Sequence, residues 1–305
     1  MTTRKLFSIS AIAVITAGFA SNASAQLWAY EPFDYAAGSD LNGQSGGLGF
    51  TSAWRDASTA GGVIQASSLA GPAGLPTSGG SALLSGELGT YTIFRDFTTI
   101  AGTAGTTTWI SFLGQRQGQQ TVSPTDWPDN PYPRGVNSSF FTAGGGSELI
   151  GVGNSSNAAT NEWSIIPNGS GARRESVTQS GVGYENLEWA VLRIDNNGAG
   201  SPDSAYLWLN PDPLGGEPSI GSANVQFPST EAQAFDYSNM GAFRPFIGNE
   251  SSSQGSSNWR PFGVLAIDEL RIGGDWASMT AVPEPSSFAL LGLAGLGLLV
   301  RRFRR

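Results

Sequence analysis

LEWAVLRIDNNGAGSPDSAYLWLNPD, residues 187–212, decides the fold. Its first part alternates: Ala190, Leu192 and Ile194 fall on one face of an extended strand, and Trp189, Val191 and Arg193 on the other. Its last part repeats the pattern, with Ala205, Leu207 and Leu209 set against Tyr206, Trp208 and Asn210. Asn196-Asn197-Gly198 between them and Asn210-Pro211-Asp212-Pro213 after them supply turn chemistry. Two alternating strands joined by a turn form an antiparallel hairpin, one face in a core and the other toward water. Aromatic residues on the second face, Tyr206 and Trp208, predict that this side of the sheet is curved or partly covered.

The same grammar extends outward. YTIFRDF (91–97), TTTWISFLGQR (106–116), NEWSIIPN (161–168) and GVLAIDELRIGG (263–274) are short and rich in β-formers. SSFFTAGG (138–145) and SELIGVGN (147–154) are separated by glycines, as in a hairpin. Glycine occurs 42 times, so turns are frequent. Only EAQAFDYSNM (231–240) reads as a short interior helix. The pattern predicts an all-β fold, a sandwich of two antiparallel sheets.

The termini are of another kind. Arg4 and Lys5, an apolar run from Leu6 to Phe19, and the small residues Ala23 and Ala25 make a signal peptide over 1–25, cleaved before Gln26. At the other end Pro283-Glu284-Pro285 cannot continue a helix. The uncharged run Phe288–Val300 follows, spanning ~20 Å as a helix against a hydrocarbon core of ~30 Å. Arg301, Arg302, Arg304 and Arg305 close the sequence and place its C-terminus in the cytoplasm. The expectation is a single short transmembrane helix that holds the protein for a time rather than permanently.

Between the ends lie ~257 residues, enough for one large β domain or two small ones. Setting aside Arg4, Lys5, the four tail arginines and Glu284 leaves 23 acids against 10 bases and no lysine. Nucleic acid and anionic lipid carry the same sign as this segment and are disfavoured partners. There is no cysteine and no histidine. Disulfides, His-dependent triads and His-rich zinc sites are thereby excluded.

The order Pro-Glu-Pro, apolar helix, arginine cluster, together with the leader, resembles the PEP-CTERM sorting signal. That resemblance implies processing near Pro283, Glu284 and Pro285 by an exosortase, a membrane-embedded transpeptidase-like enzyme. It also implies transfer to the envelope or release, and association with extracellular polysaccharide or biofilm matrix. A second resemblance rests on YEPFDYAAGSDLNGQSGGLGFTSAW (30–54), WISFLGQRQG (109–118), ELIGVG (148–153), residues 189–212 and AIDELRIGGDWASMT (266–280), in that order. These segments are similar to the concanavalin A-like lectin/glucanase (LamG-like) jelly roll. The resemblance implies a β-sandwich over 26–281, followed by the sorting signal over 282–305, with the first and last strands side by side.

Glucanases of that family carry acids at alternate positions of one strand, and a retaining pair needs carboxyl groups about 5 Å apart. No such motif is present. Glu185 and Glu188 straddle a strand start, and the adjacent Asp268 and Glu269 are expected on opposite faces of a strand, as a structural turn–strand boundary or a surface ion pair with Arg271. The sequence therefore reads as a non-enzyme, with a divergent glycoside hydrolase or lyase and a purely structural surface or biofilm protein as alternatives. No cofactor is expected, calcium being left open with Asp195, Asn197 and Asp203 as its candidate ligands; Asp126, Asp129 and Asn130 form a second Asx-rich turn. Trp127 and Tyr132, in a polar proline-rich loop, are the candidate carbohydrate-binding aromatics.

Overall fold

The computed structural model describes residues 26–56, 61–118, 135–154, 161–167, 178–231, 235–248 and 262–281. The signal peptide, Ala23 and Ala25, the sorting tail with Pro283, Glu284 and Pro285, and Trp127 and Tyr132 all lie outside these residues. Among the described residues no helix is long and apolar enough to cross a membrane.

Two antiparallel sheets form a jelly-roll sandwich. The eight-stranded sheet runs β13 (Val225–Phe227), β12 (Ser204–Leu209), β11 (Glu188–Asp195), β6 (Thr107–Gln117), β15 (Val264–Gly273), β4 (Ser81–Ser85) and β3 (Gly62–Gln65), with β1 (Leu27–Glu31) also paired to β15. The seven-stranded sheet runs β10 (Thr178–Gly183), β9 (Glu162–Pro167), β8 (Glu148–Asn154), β7 (Val136–Thr142), β14 (Met240–Ile247), β5 (Tyr91–Ile100) and β2 (Arg55–Asp56). The first and last strands lie side by side, Leu27 opposite Gly273 and Glu31 opposite Leu270.

The hairpin that predicted the fold is β11 and β12, with Leu192 opposite Leu207. Ala190, Leu192, Ile194, Ala205 and Leu207 enter the core between the sheets, with Ile110 and Phe112 of β6 beside them. Period-two alternation therefore sends Trp189, Val191 and Trp208 to the outer face, where they are also buried. Trp109, Leu113, Leu75, Trp276 and Met279 complete this second cluster. The cover is the segment 66–80 and the short helix α1 (Ala277–Thr280), which carry Leu69, Leu75 and Met279. The covered face expected from Tyr206 and Trp208 is what the structure contains.

The helix expected over 231–240 does not form in its described part. Asp236 Oδ1 accepts the Ser238 amide at 2.8 Å, closing an Asx turn. Asn239 then takes φ 61°, and β14 begins at Met240.

A bulge changes the reading of Asp268 and Glu269. Register shifts between Asp268 and Arg271 where β15 pairs β6, and Glu269 has φ 53°. One extra residue in a strand reverses the facing rule at that point. Both carboxylates consequently reach the covering segment: Asp268 accepts the amides of Leu69 (2.9 Å) and Glu269 (2.7 Å), and Glu269 accepts the amide of Ser78 (2.5 Å). Glu269 also takes Tyr30 Oη at 2.9 Å and Arg271 Nη2 at 2.7 Å. Neither carboxylate is at the surface. The expected surface ion pair is a buried latch between β15 and its cover.

Burial pushes the Asp268 carboxyl from 3.8 up to about 8, with the neighbouring Glu269 charge adding to the rise. Native Asp268 keeps a proton that the unfolded polypeptide has already lost, so stability falls as pH rises from the ordinary carboxylate range toward about 8. Glu31, Glu269 and Asp203 are raised in the same sense, chiefly by burial. The melting temperature is expected to be higher near pH 5.5 than near pH 8.5, with Asp268→Asn flattening part of the slope. A melting temperature that rises across this interval would refute the assignment.

Candidate functional site

An open groove of 830 Å³ lies at one end of the sandwich, between the start of β1, the end of β5, the loop 101–106 and the start of β6. Its wall carries Trp28 and Ile100 with five threonines, Thr98, Thr99, Thr103, Thr106 and Thr107; the Thr106 hydroxyl donates to Thr103 O (2.6 Å) and the Thr107 hydroxyl to Gly274 O (3.1 Å). Trp28 is half-buried and packs against the main core. An indole held from behind with part of its surface open is a rigid amphipathic platform. The volume is of the size that small-molecule sites usually have.

Glycines allow the wall to stand where it does. A Cβ at Gly274 would lie 2.5 Å from Gln26 Oε1 and 2.9 Å from Trp28 Cζ2, so any larger residue would displace both. The lip is built by local hydrogen bonds. Thr106 donates its amide to Thr103 O (3.0 Å), and Gly105 donates its own to Asn196 O (2.9 Å). Asn196 returns its amide to Thr106 O (3.0 Å), and its Nδ2 reaches Thr108 Oγ1 (3.2 Å). Gly102 has φ 64°, and a Cβ there would come within 2.9 Å of Ser238 Cα. The β11–β12 turn thus braces the groove.

That turn contains the residues read as calcium ligands. Asp203 Oδ1 accepts the Asn197 amide at 2.6 Å and Oδ2 the Tyr237 amide at 2.8 Å. Asn197 Nδ2 donates to Pro202 O at 2.7 Å. Asp195 faces Arg193, at 2.6 Å. The structure therefore brings Asn197 and Asp203 together and gives Asp195 to an arginine. Among the described residues no group of three or more acidic side chains is placed to hold a metal ion.

The outer face of the seven-stranded sheet carries a different set. Arg244 of β14 lies over Phe141 (4.4 Å) and Phe246 (5.4 Å) and pairs with Glu148 at 2.6 Å. Arg55 lies over Phe94 (5.0 Å) and pairs with Asp96 at 3.0 Å. Glu148 and Asp96 are thus each engaged by an arginine. Glu185 and Glu188 go to separate asparagines, Asn161 and Asn210.

No sequence motif marks the groove. Trp28 stands two residues after the expected cleavage site, but its platform depends on Gly274, far along the polypeptide.

Residues 281–305 match the PEP-CTERM protein-sorting motif. The motif marks the protein as exported and sorted to the cell envelope by an exosortase. No curated protein matches it in sequence. Similar solved structures include a carbohydrate esterase from Shiga toxin-encoding bacteriophage phi24B, 13% identical, covering 73% of this chain and 90% of that one at a TM-score of 0.39. Domain 4 of a GH43 extracellular arabinanase from Geobacillus stearothermophilus, in complex with arabinotriose, is 12% identical over 84% of this chain and 97% of that one, at a TM-score of 0.36. A β-glucanase from Bacillus licheniformis is 14% identical over 80% of this chain and 96% of that one, also at 0.36.

Proposed function

We propose that this exported, exosortase-sorted protein is a non-enzymatic β-sandwich of the envelope or extracellular matrix that binds polysaccharide in the groove beside Trp28. The groove carries the reading. A sugar ring offers an apolar face of C–H groups and a rim of hydroxyls. Trp28 supplies an aromatic surface for the first, and Gln26, Thr98 and Thr103 supply polar groups for the second, the Thr106 and Thr107 hydroxyls being donated to the backbone. The acidic, lysine-free segment between leader and tail favours neutral glycans over anionic ones. Against catalysis on the outer face of the seven-stranded sheet stand Asp96 and Glu148, each bound to its own arginine.

The test is a glycan array and polysaccharide pull-down with the secreted protein. Binding to a neutral glycan, weakened about tenfold or more by Trp28→Ala through loss of the stacking surface, is expected. Silence across a broad panel would favour a purely structural role. Release of shortened sugars would replace the reading by a hydrolase or lyase.

A further inference from the structure

We propose that removal of the leader completes the groove wall: hydrolysis of the Ala25–Gln26 bond leaves an α-ammonium that docks on the Asp275 carboxylate and keeps the terminal glutamine in its open, uncyclised form. The inference rests on the export reading alone and not on glycan binding.

Three contacts place Gln26. Its nitrogen lies 3.4 Å from Asp275 Oδ1 and 3.3 Å from Oδ2. Its carbonyl accepts the Gly274 amide at 3.0 Å. Its Oε1 lies over Gly274, where a Cβ would come within 2.5 Å of it. A peptide N–H shares its one hydrogen between the two oxygens, and both contacts are long. An ammonium has three hydrogens and a full charge, and a carboxylate is its natural partner. An ammonium at the same place gains charge complementarity with both oxygens. Asp275 Oδ1 also accepts the Ser278 amide at 2.9 Å, which fixes the carboxylate beside α1.

Cleavage adds water across the Ala25–Gln26 bond, giving the leader a carboxylate and Gln26 an amine; a signal peptidase supplies the catalysis. A free N-terminal glutamine cyclises when its neutral amine attacks Cδ, the bond from Cδ to Nε2 breaks and ammonia leaves. Docking opposes this, because the carboxylate keeps the amine protonated. Each unit by which the ammonium is favoured lowers the neutral fraction about tenfold at a pH well below the amine's ordinary range.

The experiment is intact-mass and N-terminal analysis of the full-length protein after secretion, followed over time at a pH of about 6.5, below the ordinary α-amino range. The expected mature form begins at Gln26 and keeps its ammonia, while Asp275→Asn loses it about tenfold faster. Ser278→Ala removes the hydroxyl that also donates to Asp275, leaves the residue-278 amide and the carboxylate, and is expected to stay open. Wild type held in urea should cyclise faster than folded wild type, a comparison that needs no variant. Equal rates in folded wild type, urea and Asp275→Asn would overturn the inference alone. A recovered protein that retains residues 1–25 would overturn the export reading with it.

Discussion

Arg95→Met is expected to destabilise the fold by about 3–5 kcal/mol, because it leaves one half of a buried ion pair without the other. Arg95 and Glu31 are 2% and 0% exposed and 2.7 Å apart. Arg95 Nη2 donates to Gly46 O at 2.7 Å, and the guanidinium lies over Phe50 (4.5 Å) and Trp54 (5.5 Å). Glu31 also accepts the Phe33 amide (2.9 Å), Tyr35 Oη (2.8 Å) and Trp54 Nε1 (3.1 Å). Burial already pushes the Glu31 carboxyl up, and the Arg95 charge opposes that rise. Without the arginine, Glu31 must either stay charged in a dry site or take up a proton, and both cost stability.

The pair joins β1 to β5 across the two sheets, and it holds Phe33 at φ 51° through the Glu31 contact. Glu31→Gln combined with Arg95→Met removes the stranded charge and should recover part of the loss. Urea denaturation measures both. Glu217→Gln, which breaks the half-exposed pair with Arg193 and leaves the Arg193 contacts to Asp195 and Trp109, provides the contrast, at about 0–1 kcal/mol. A loss from Arg95→Met no larger than that would show that the buried network is dispensable.

Trp109→Ala is expected to cost about 3–5 kcal/mol. Trp109 is 1% exposed at the centre of the second cluster. Its ring stacks on Trp208 at 5.8 Å, meets Trp276 edge-on at 5.7 Å and lies under the Arg193 guanidinium at 5.5 Å. Removing it opens a cavity that the flanking strands β11 and β15 cannot close without breaking their ladders with β6. Leu88→Ala, at a residue 82% exposed, should stay within about 0.5 kcal/mol. If Trp109→Ala costs as little as that, the outer face of the eight-stranded sheet is not a packed second core.

The strands were legible because their signal is local. Ala190, Leu192 and Ile194 alternate within one segment, and that alone sends them inward. Trp208 on the opposite face announced a cover, but the cover itself joins Leu75 to Met279, far apart in sequence. Asp268 and Glu269 read as opposite-facing because period two holds until a bulge interrupts it, and φ 53° at Glu269 has no sequence marker in a glutamate. Glu31 and Arg95 resemble ordinary solvent-facing charges until folding places them together. The groove is hidden for the same reason: Trp28, Thr103 and Gly274 meet only in the folded protein.

The most direct measurement is an NMR titration of the secreted protein with a neutral oligosaccharide chosen from the array. The account predicts shifts at the Trp28 indole N–H and at the amides of Thr98 to Thr107, with little change at Phe141, Arg244 and Phe246 on the outer face of the other sheet. Shifts confined to that other face, with Trp28 unmoved, would contradict it.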